Sequence, residues 1–155
     1  MILYRVTPAE FAGNLSGGGA RRYGGRWNPM GVPALYTSNS TALCLLEILV
    51  NVKSAYLPSL HRVVIEVPDE LIRPDAPIFL ADPGQSREYG LRWLSEGLWA
   101  GMKVASSILV SSQDACNIIL NPRHSEFARV RILDNSPLPI DPRLLGEKPS
   151  HGNIQ

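Results

Sequence analysis

Glu47 stands inside an apolar run, Thr41-Ala-Leu-Cys-Leu-Leu-Glu-Ile-Leu-Val50, with no other acid or base between those limits. Taking an unpaired carboxylate out of water costs on the order of several kcal/mol, so this side chain must be paired, protonated or turned toward a polar cleft. Two chemistries fit: a structural ion pair at the edge of the core, or a carboxylate lining a ligand pocket. Upstream, Gly24-Gly25-Arg26-Trp27-Asn28 sets a guanidinium directly after paired glycines. Such glycines let backbone approach a ligand and reach positive φ. The arginine offers a two-pronged fork to phosphate or carboxylate. Alone, Gly-Gly-Arg is better explained by a turn with a solvated arginine. Tyr36, in Leu35-Tyr-Thr-Ser38, is alone best explained by core packing with its hydroxyl satisfied.

Those residues need elements to hold them. Asn39 and Ser40 are both good helix N-caps, so Thr41–Val50 reads as a helix with Leu43, Leu46, Glu47 and Val50 on one face. Ile2–Val6 reads as a short strand stopped by Pro8, and Ala34–Thr37 as a strand leading into the Glu47 helix. Between them, residues 13–31 form a glycine-rich segment. A loop of that length is usually functional or disordered, and its Tyr23, Arg26 and Trp27 favour an ordered, functional one. Arg62–Val67 is a clear strand, and residues 68–84, with four prolines, an irregular connection. Gln85–Trp99 has helical spacing with Tyr89, Trp93, Leu94 and Leu98 inward. Val104–Val110, Asn117–Leu120 and Ala128–Leu133 are strand-like, and from Asn135 on a loose tail is expected. Strands and helices mix without regular βαβ alternation, which predicts an α+β single domain, a mixed sheet with flanking helices, over residues 1–145 with a tail at 146–155.

Composition narrows the function classes. The 155 residues are 45% hydrophobic and 19% charged, which fits a globular protein and argues against disorder. A net charge of +1 with scattered basic residues gives no footprint for nucleic acid and no polybasic stripe for a membrane. No segment has the ~18–20 apolar residues a membrane span requires. Cys44 and Cys116 lie in apolar surroundings without metal-ligand spacing, which predicts buried free thiols and a reducing cytoplasm. The N-terminus lacks the pattern of a signal peptide. His61, His124 and His151 are scattered, so no metal site is expected; His124 is read as ordering a turn, Trp93 and Trp99 as core, and Arg21-Arg22 as solvated.

Taken together, Tyr4-Arg5, Arg22-Tyr-Gly-Gly-Arg-Trp-Asn28, Leu35-Tyr-Thr-Ser38, Leu43-Cys-Leu-Leu-Glu47 and Asn121-Pro-Arg-His124 resemble the RES-domain toxins, over a stretch from Tyr4 to Asp141-Pro-Arg143. The family's Arg, Glu and Ser map to Arg26, Glu47 and, by spacing, Ser112 rather than Ser111. Two positions depart from the family pattern: Asn51 stands where members often carry His, and Val110-Ser-Ser112 where they carry Val-Pro-Ser. The resemblance implies an ADP-ribosyltransferase-like fold, NAD+ as substrate with no bound cofactor, and growth arrest on release of the toxin. It also implies a helix-turn-helix antitoxin of the Xre class blocking the pocket entrance, and a toxin homodimer.

Cleavage of the nicotinamide–ribose bond passes through an oxocarbenium-like state, and nicotinamide leaves neutral, so no general acid is needed. The resemblance gives Glu47 the developing cation and Tyr36 the nicotinamide ring. Arg26, with Arg5, takes the pyrophosphate or pairs with Glu47 in the empty site. Gly24, Gly25 and Asn28 belong to the substrate-binding block, and Ser112 orients as a polar group rather than a nucleophile. Water, inorganic phosphate or a protein side chain as acceptor would make a glycohydrolase, a phosphorylase or a mono-ADP-ribosyltransferase. Two other readings compete: an RNA-cleaving toxin, which would need a basic groove, and a non-catalytic nucleotide-binding module.

Overall fold

A computed structural model describes residues 1–51, 57–75, 77–109 and 115–145. Six strands of these residues form one antiparallel sheet: β1 (Ile2–Pro8), β2 (Leu35–Ser38), β3 (Leu60–Glu66), β4 (Gly101–Ala105), β5 (Cys116–Leu120) and β6 (Arg131–Pro137), in the order β4-β5-β2-β1-β3-β6. Among the described residues three α-helices accompany it: α1 (Gly18–Tyr23), α2 (Thr41–Asn51) and α3 (Pro83–Glu96). The α+β class holds, with an antiparallel sheet at its centre.

Strand alternation sorts the apolar side chains onto two faces. Leu3, Leu35, Val63, Ile65, Ile118 and Leu120 share one face, with Ala12, Leu71, Ile72, Ala100 and Val130 packed on them from 3₁₀ turns and loops rather than from α-helix. The opposite face carries two separate clusters. Val6 and Leu60 meet Cys44 of α2, whereas Met102, Val104 and Ile119 meet Trp27, Trp93 and Leu94 beneath α3. The break between those clusters follows from the backbone: β1 pairs with β3 along its whole length but with β2 at one position, Tyr4 opposite Ser38. Beyond it the two strands part.

Several elements differ from expectation. The glycine-rich segment is not all loop: α1 begins after Gly17 (φ +68°) and ends at Gly24 (φ +71°), left-handed and extended-positive conformations that favour glycine at both ends. α3 starts at Pro83, with Asp82 Oδ1 accepting from the Gln85 N–H, and stops at Gly97 (φ +61°), which leaves Leu98 exposed. On α2 the buried residues are Leu43 and Cys44, so Leu46 and Val50 face outward, and Glu47 sits on the boundary. β4 begins at Gly101, three residues earlier than its apolar content suggests, and residues 72 and 78 of the proline-rich connection bridge to its outer side. The chain beyond Asn135 is no loose tail: β6 runs to Pro137 against β3, and the Leu138 N–H donates to the Leu60 carbonyl. Polar residues hid that strand because its side chains alternate between half-buried and exposed.

α3 reaches its seat through a glycine. A Cβ at Gly90 would run into the Trp27 carbonyl oxygen, so the helix lies directly on the backbone of the glycine-rich segment. Gly90→Ala should therefore destabilise the protein by ~1–3 kcal/mol through overpacking, even though alanine is favoured over glycine by ~1 kcal/mol in a helix. Urea unfolding of the two proteins, expected to give a lower midpoint for the variant, checks this.

Candidate functional site

Where β1 and β2 part, a cavity of about 660 Å³ opens, within the usual range for a small-molecule site. Arg5, Val6 and Thr7 line one side, Leu35, Tyr36 and Thr37 the other, and Glu47, Ile48 and Asn51 of α2 close the top. Gly24, Gly25 and Arg26 form a further wall, opposite Asn117 and Ala105 at the ends of β5 and β4. Among the described residues the charged side chains of this lining are Arg5, Arg26 and Glu47, which the fold gathers from separate elements.

Glu47 is held by neutral donors. Its Oε1 accepts from Asn117 Nδ2 at 2.7 Å and from Ser106 Oγ at 3.1 Å. No described cation lies within ion-pair distance, so the structural ion-pair explanation of this carboxylate fails among the described residues. Ser106 is fully buried, and its oxygen also accepts from the Ile108 and Leu109 N–H groups. Those two donors occupy its lone pairs and direct its single proton at Glu47. Asn117 and Ser106 went unnoticed in the sequence. Asn117 is the one amide in the apolar strand Cys116–Leu120, and Ser106 follows β4 immediately; both are signals of a polar group brought to a strand end. Ser111 and Ser112 lie outside the described residues. Asn51, at the end of α2, does reach the cavity, and its Nδ2 donates to the Glu47 carbonyl.

Arg26 does not meet Glu47. Its Nη2 donates to the Leu80 and Ala81 carbonyls at 2.7 and 3.1 Å, which ties the cavity wall to the segment leading into α3. Arg5 Nη1 donates to the Asn14 carbonyl at 2.8 Å and to that of Phe11 at 3.4 Å. Burial lowers the pKa of Arg5 from its usual value, although a guanidinium remains charged at any physiological pH.

The glycine-rich wall is locked from behind. Tyr36 Oη donates to Asn28 Oδ1 at 2.8 Å and accepts from the Trp27 N–H at 2.9 Å. Asn28, fully buried and outside the cavity lining, spends its Nδ2 on the Ala20 and Val32 carbonyls. A Cβ at Gly25 would clash with the Tyr36 hydroxyl, so this glycine is required by Tyr36 as well as by any ligand. Burial pushes the Tyr36 phenol up to about 12, so it is a neutral hydroxyl at physiological pH. Cys44 also lines the cavity, its Sγ donating to the Tyr4 carbonyl, and burial pushes its thiol up to about 11, which keeps it an unreactive thiol. Cys116 is half-buried and free. Away from the site, His124 Nδ1 accepts from the Glu126 N–H within a turn, and His61 Nδ1 pairs with Asn135 Oδ1 on the β3–β6 surface. Among the described residues no group of three or more His, Cys, Asp or Glu could hold a metal ion, and no helix is long and apolar enough to cross a membrane.

Known proteins resemble this chain in sequence, and a solved structure resembles it in fold. The chain is 35% identical over 136 residues to Toxin Res of Yersinia enterocolitica, which covers 82% of this chain and 88% of that protein. It is 32% identical over 148 residues to the Prs ADP-ribosylating toxin of Sphingobium sp. (strain YBL2), covering 86% and 88%. A chain of the crystal structure of the M. tuberculosis MbcT-MbcA toxin-antitoxin complex superposes with a TM-score of 0.69 at 23% identity, over 94% of this chain and 86% of that one. The NAD(+) phosphorylase MbcT of M. tuberculosis is itself 50% identical over 46 residues, 29% of this chain and 24% of that protein. Residues 2–141 match the RES domain, and with a relative of this identity spanning most of its length the chain belongs to the RES domain family.

Proposed function

We propose that this chain is the toxin of a toxin–antitoxin pair and that it cleaves the nicotinamide–ribose bond of NAD+ in the β1–β2 cavity. One observation carries the chemistry: the two described donors to the Glu47 carboxylate converge on Oε1, leaving Oε2 without a described donor in a residue that lines the cavity. A carboxylate oriented this way, with no described cation against it, directs its charge at a cation that develops in the cavity. In the reaction the N–C1′ bond breaks, its electron pair goes to the pyridinium nitrogen, and the ribose acquires oxocarbenium character. Glu47 stabilises that charge and accepts from a ribose hydroxyl. An acceptor oxygen then bonds to C1′; with water its proton passes to solvent and ADP-ribose is the product, with inorganic phosphate a phosphorolytic product forms.

Supporting this reading, a relative is named an NAD(+) phosphorylase and others Toxin Res. Arg26 holds the pyrophosphate in this scheme, and the ring of Tyr36 stacks on nicotinamide while its hydroxyl stays tied to Asn28. A second reading, transfer of ADP-ribose to a protein side chain, draws on the name of the Sphingobium relative. The partner is an antitoxin, of the Xre class, that covers the cavity mouth; the toxin is a cytoplasmic homodimer, and residues 1–145 are the functional unit.

Nicotinamide release from NAD+ by purified protein, measured with Glu47→Gln beside it, tests the assignment. The amide keeps the hydrogen-bonding shape of the side chain and removes its charge, so turnover should drop by ~10²–10³ while the melting temperature is nearly kept. Undiminished turnover in Glu47→Gln would sink the role given to this carboxylate. Ser106→Ala is expected to lower kcat roughly tenfold with little change in KM, since it loosens the carboxylate without touching the substrate's binding groups. It should also lower the melting temperature, because the Ile108 and Leu109 N–H groups lose their acceptor; steady-state kinetics and a thermal melt read both effects.

A further inference from the structure

Arg87 stands over the cavity's glycine wall for reasons set in the core. On α3 it lies three residues before Gly90, whose missing side chain seats the helix on the Trp27 backbone, and beside Ser86, which is fully buried with its Oγ on the Leu80 and Asp82 carbonyls. A helical side chain leans toward the N-terminus of its helix, and Arg87 reaches from there to Gly25, its Nε donating to the Gly25 carbonyl at 3.4 Å. The terminal nitrogens of Arg87 have no described partner, and neither Arg87 nor Arg26 forms an ion pair among the described residues. Four other arginines, at positions 62, 73, 129 and 143, are each matched to a carboxylate. Arg26 spends Nη2 on two carbonyls, which fixes its guanidinium and leaves its other nitrogens without described acceptors. The positive field of Arg87 reaches the cavity, since it opposes the upward push of burial on the Tyr36 phenol. Two guanidiniums without described counter-ions therefore stand beside Gly25, Arg26 in the cavity lining and Arg87, outside that lining, on the Gly25 carbonyl.

We propose that Arg87 is the second guanidinium of a diphosphate grip, holding the pyrophosphate of the dinucleotide together with Arg26 across Gly25. The assignment rests on the NAD+ reading of the cavity. Two anionic phosphates exceed what one arginine satisfies, and a pair of forks on either side of a residue without a side chain gives both phosphates a partner. Arg87 shares no described contact with Glu47, so its contribution is to binding alike in the ground and transition states. The signature of such uniform binding is a raised KM at constant kcat.

The experiment compares wild type, Arg87→Gln, Arg87→Lys and Glu47→Gln in two assays: nicotinamide release from NAD+, and calorimetric binding of ADP-ribose, which carries the diphosphate, beside nicotinamide, which does not. Arg87→Gln should raise KM for NAD+ and the Kd for ADP-ribose roughly tenfold to a hundredfold, leave kcat and nicotinamide binding unchanged, and keep the melting temperature, as Arg87 is exposed. Arg87→Lys should fall between, retaining the charge without the fork. Unaltered KM and ADP-ribose affinity in Arg87→Gln would overturn the grip while leaving the NAD+ reading intact, provided Glu47→Gln has lost turnover. Failure of wild type to release nicotinamide with inorganic phosphate and cell extract supplied as acceptors would overturn the NAD+ reading instead, and ADP-ribose binding would still decide for or against Arg87.

Discussion

The parting of β1 from β2 after a single pair, Tyr4 opposite Ser38, is the constraint from which the site follows. Paired strands lie ~4.8 Å apart and leave no room between them. A sheet that separates in its middle exposes backbone and side chains from both strands to one space, and here that space is the cavity. The separation has to be supported from outside, because the strands lose each other's hydrogen bonds. β1 is supported by β3, with which it pairs from Ile2 to Pro8, and β2 by β5, with which it pairs from Leu35 to Ser38. The two apolar clusters on the upper face are the same division seen in the side chains: one belongs to the β1–β3 half under α2, the other to the β2–β5–β4 half under α3.

Each half supplies part of the chemistry. α2 brings Glu47 from above the first half, and its carboxylate is received by Ser106 and Asn117 from the second. A lysine or arginine in their place would bind the carboxylate more strongly and cancel its field. Neutral donors fix the position of the group and preserve the charge, the arrangement that favours stabilising a transient cation over building a stable ion pair. Arg26 shows the complementary economy: carbonyl acceptors at Leu80 and Ala81 orient the guanidinium while leaving its full positive charge in the lining.

The charged side chains that line the cavity were more legible in the sequence than the architecture that gathers them. A carboxylate in an apolar helix and an arginine after paired glycines are chemically conspicuous, so Glu47 and Arg26 could be singled out from residue type and spacing. Their partners were not visible, because a hydrogen bond between residues 47 and 117 depends on the register of strands that periodicity does not supply; nor could spacing reveal that Arg26 spends its reach on carbonyls more than fifty residues away. β6 escaped for a related reason. Asp134, Asn135 and Ser136 have low strand propensity, and it is pairing with Val64, Val63 and Arg62 that makes them a strand. α1 was read as loop because its glycines dominate the composition, although Gly17 and Gly24 mark its two ends.

The glycine-rich wall shows how a motif can serve structure and ligand with the same atoms. Gly25 has no room for a side chain on account of the Tyr36 hydroxyl, and that hydroxyl is fixed by Asn28 and the Trp27 N–H. Asn28 in turn ties the end of the wall to Ala20 in α1 and to Val32. Trp27 is covered by Gly90 of α3. The wall is thus rigid before any substrate arrives, and a rigid wall loses little conformational entropy on binding. Gly24, Gly25, Arg26 and Trp27 face the cavity and Asn28 holds them from outside it, so the residues that line the site and the one that holds the wall straight adjoin along one short stretch of chain. Such a stretch tolerates little change at either set of positions: altering Asn28, which touches nothing in the cavity, would move Tyr36 and Gly25, which do.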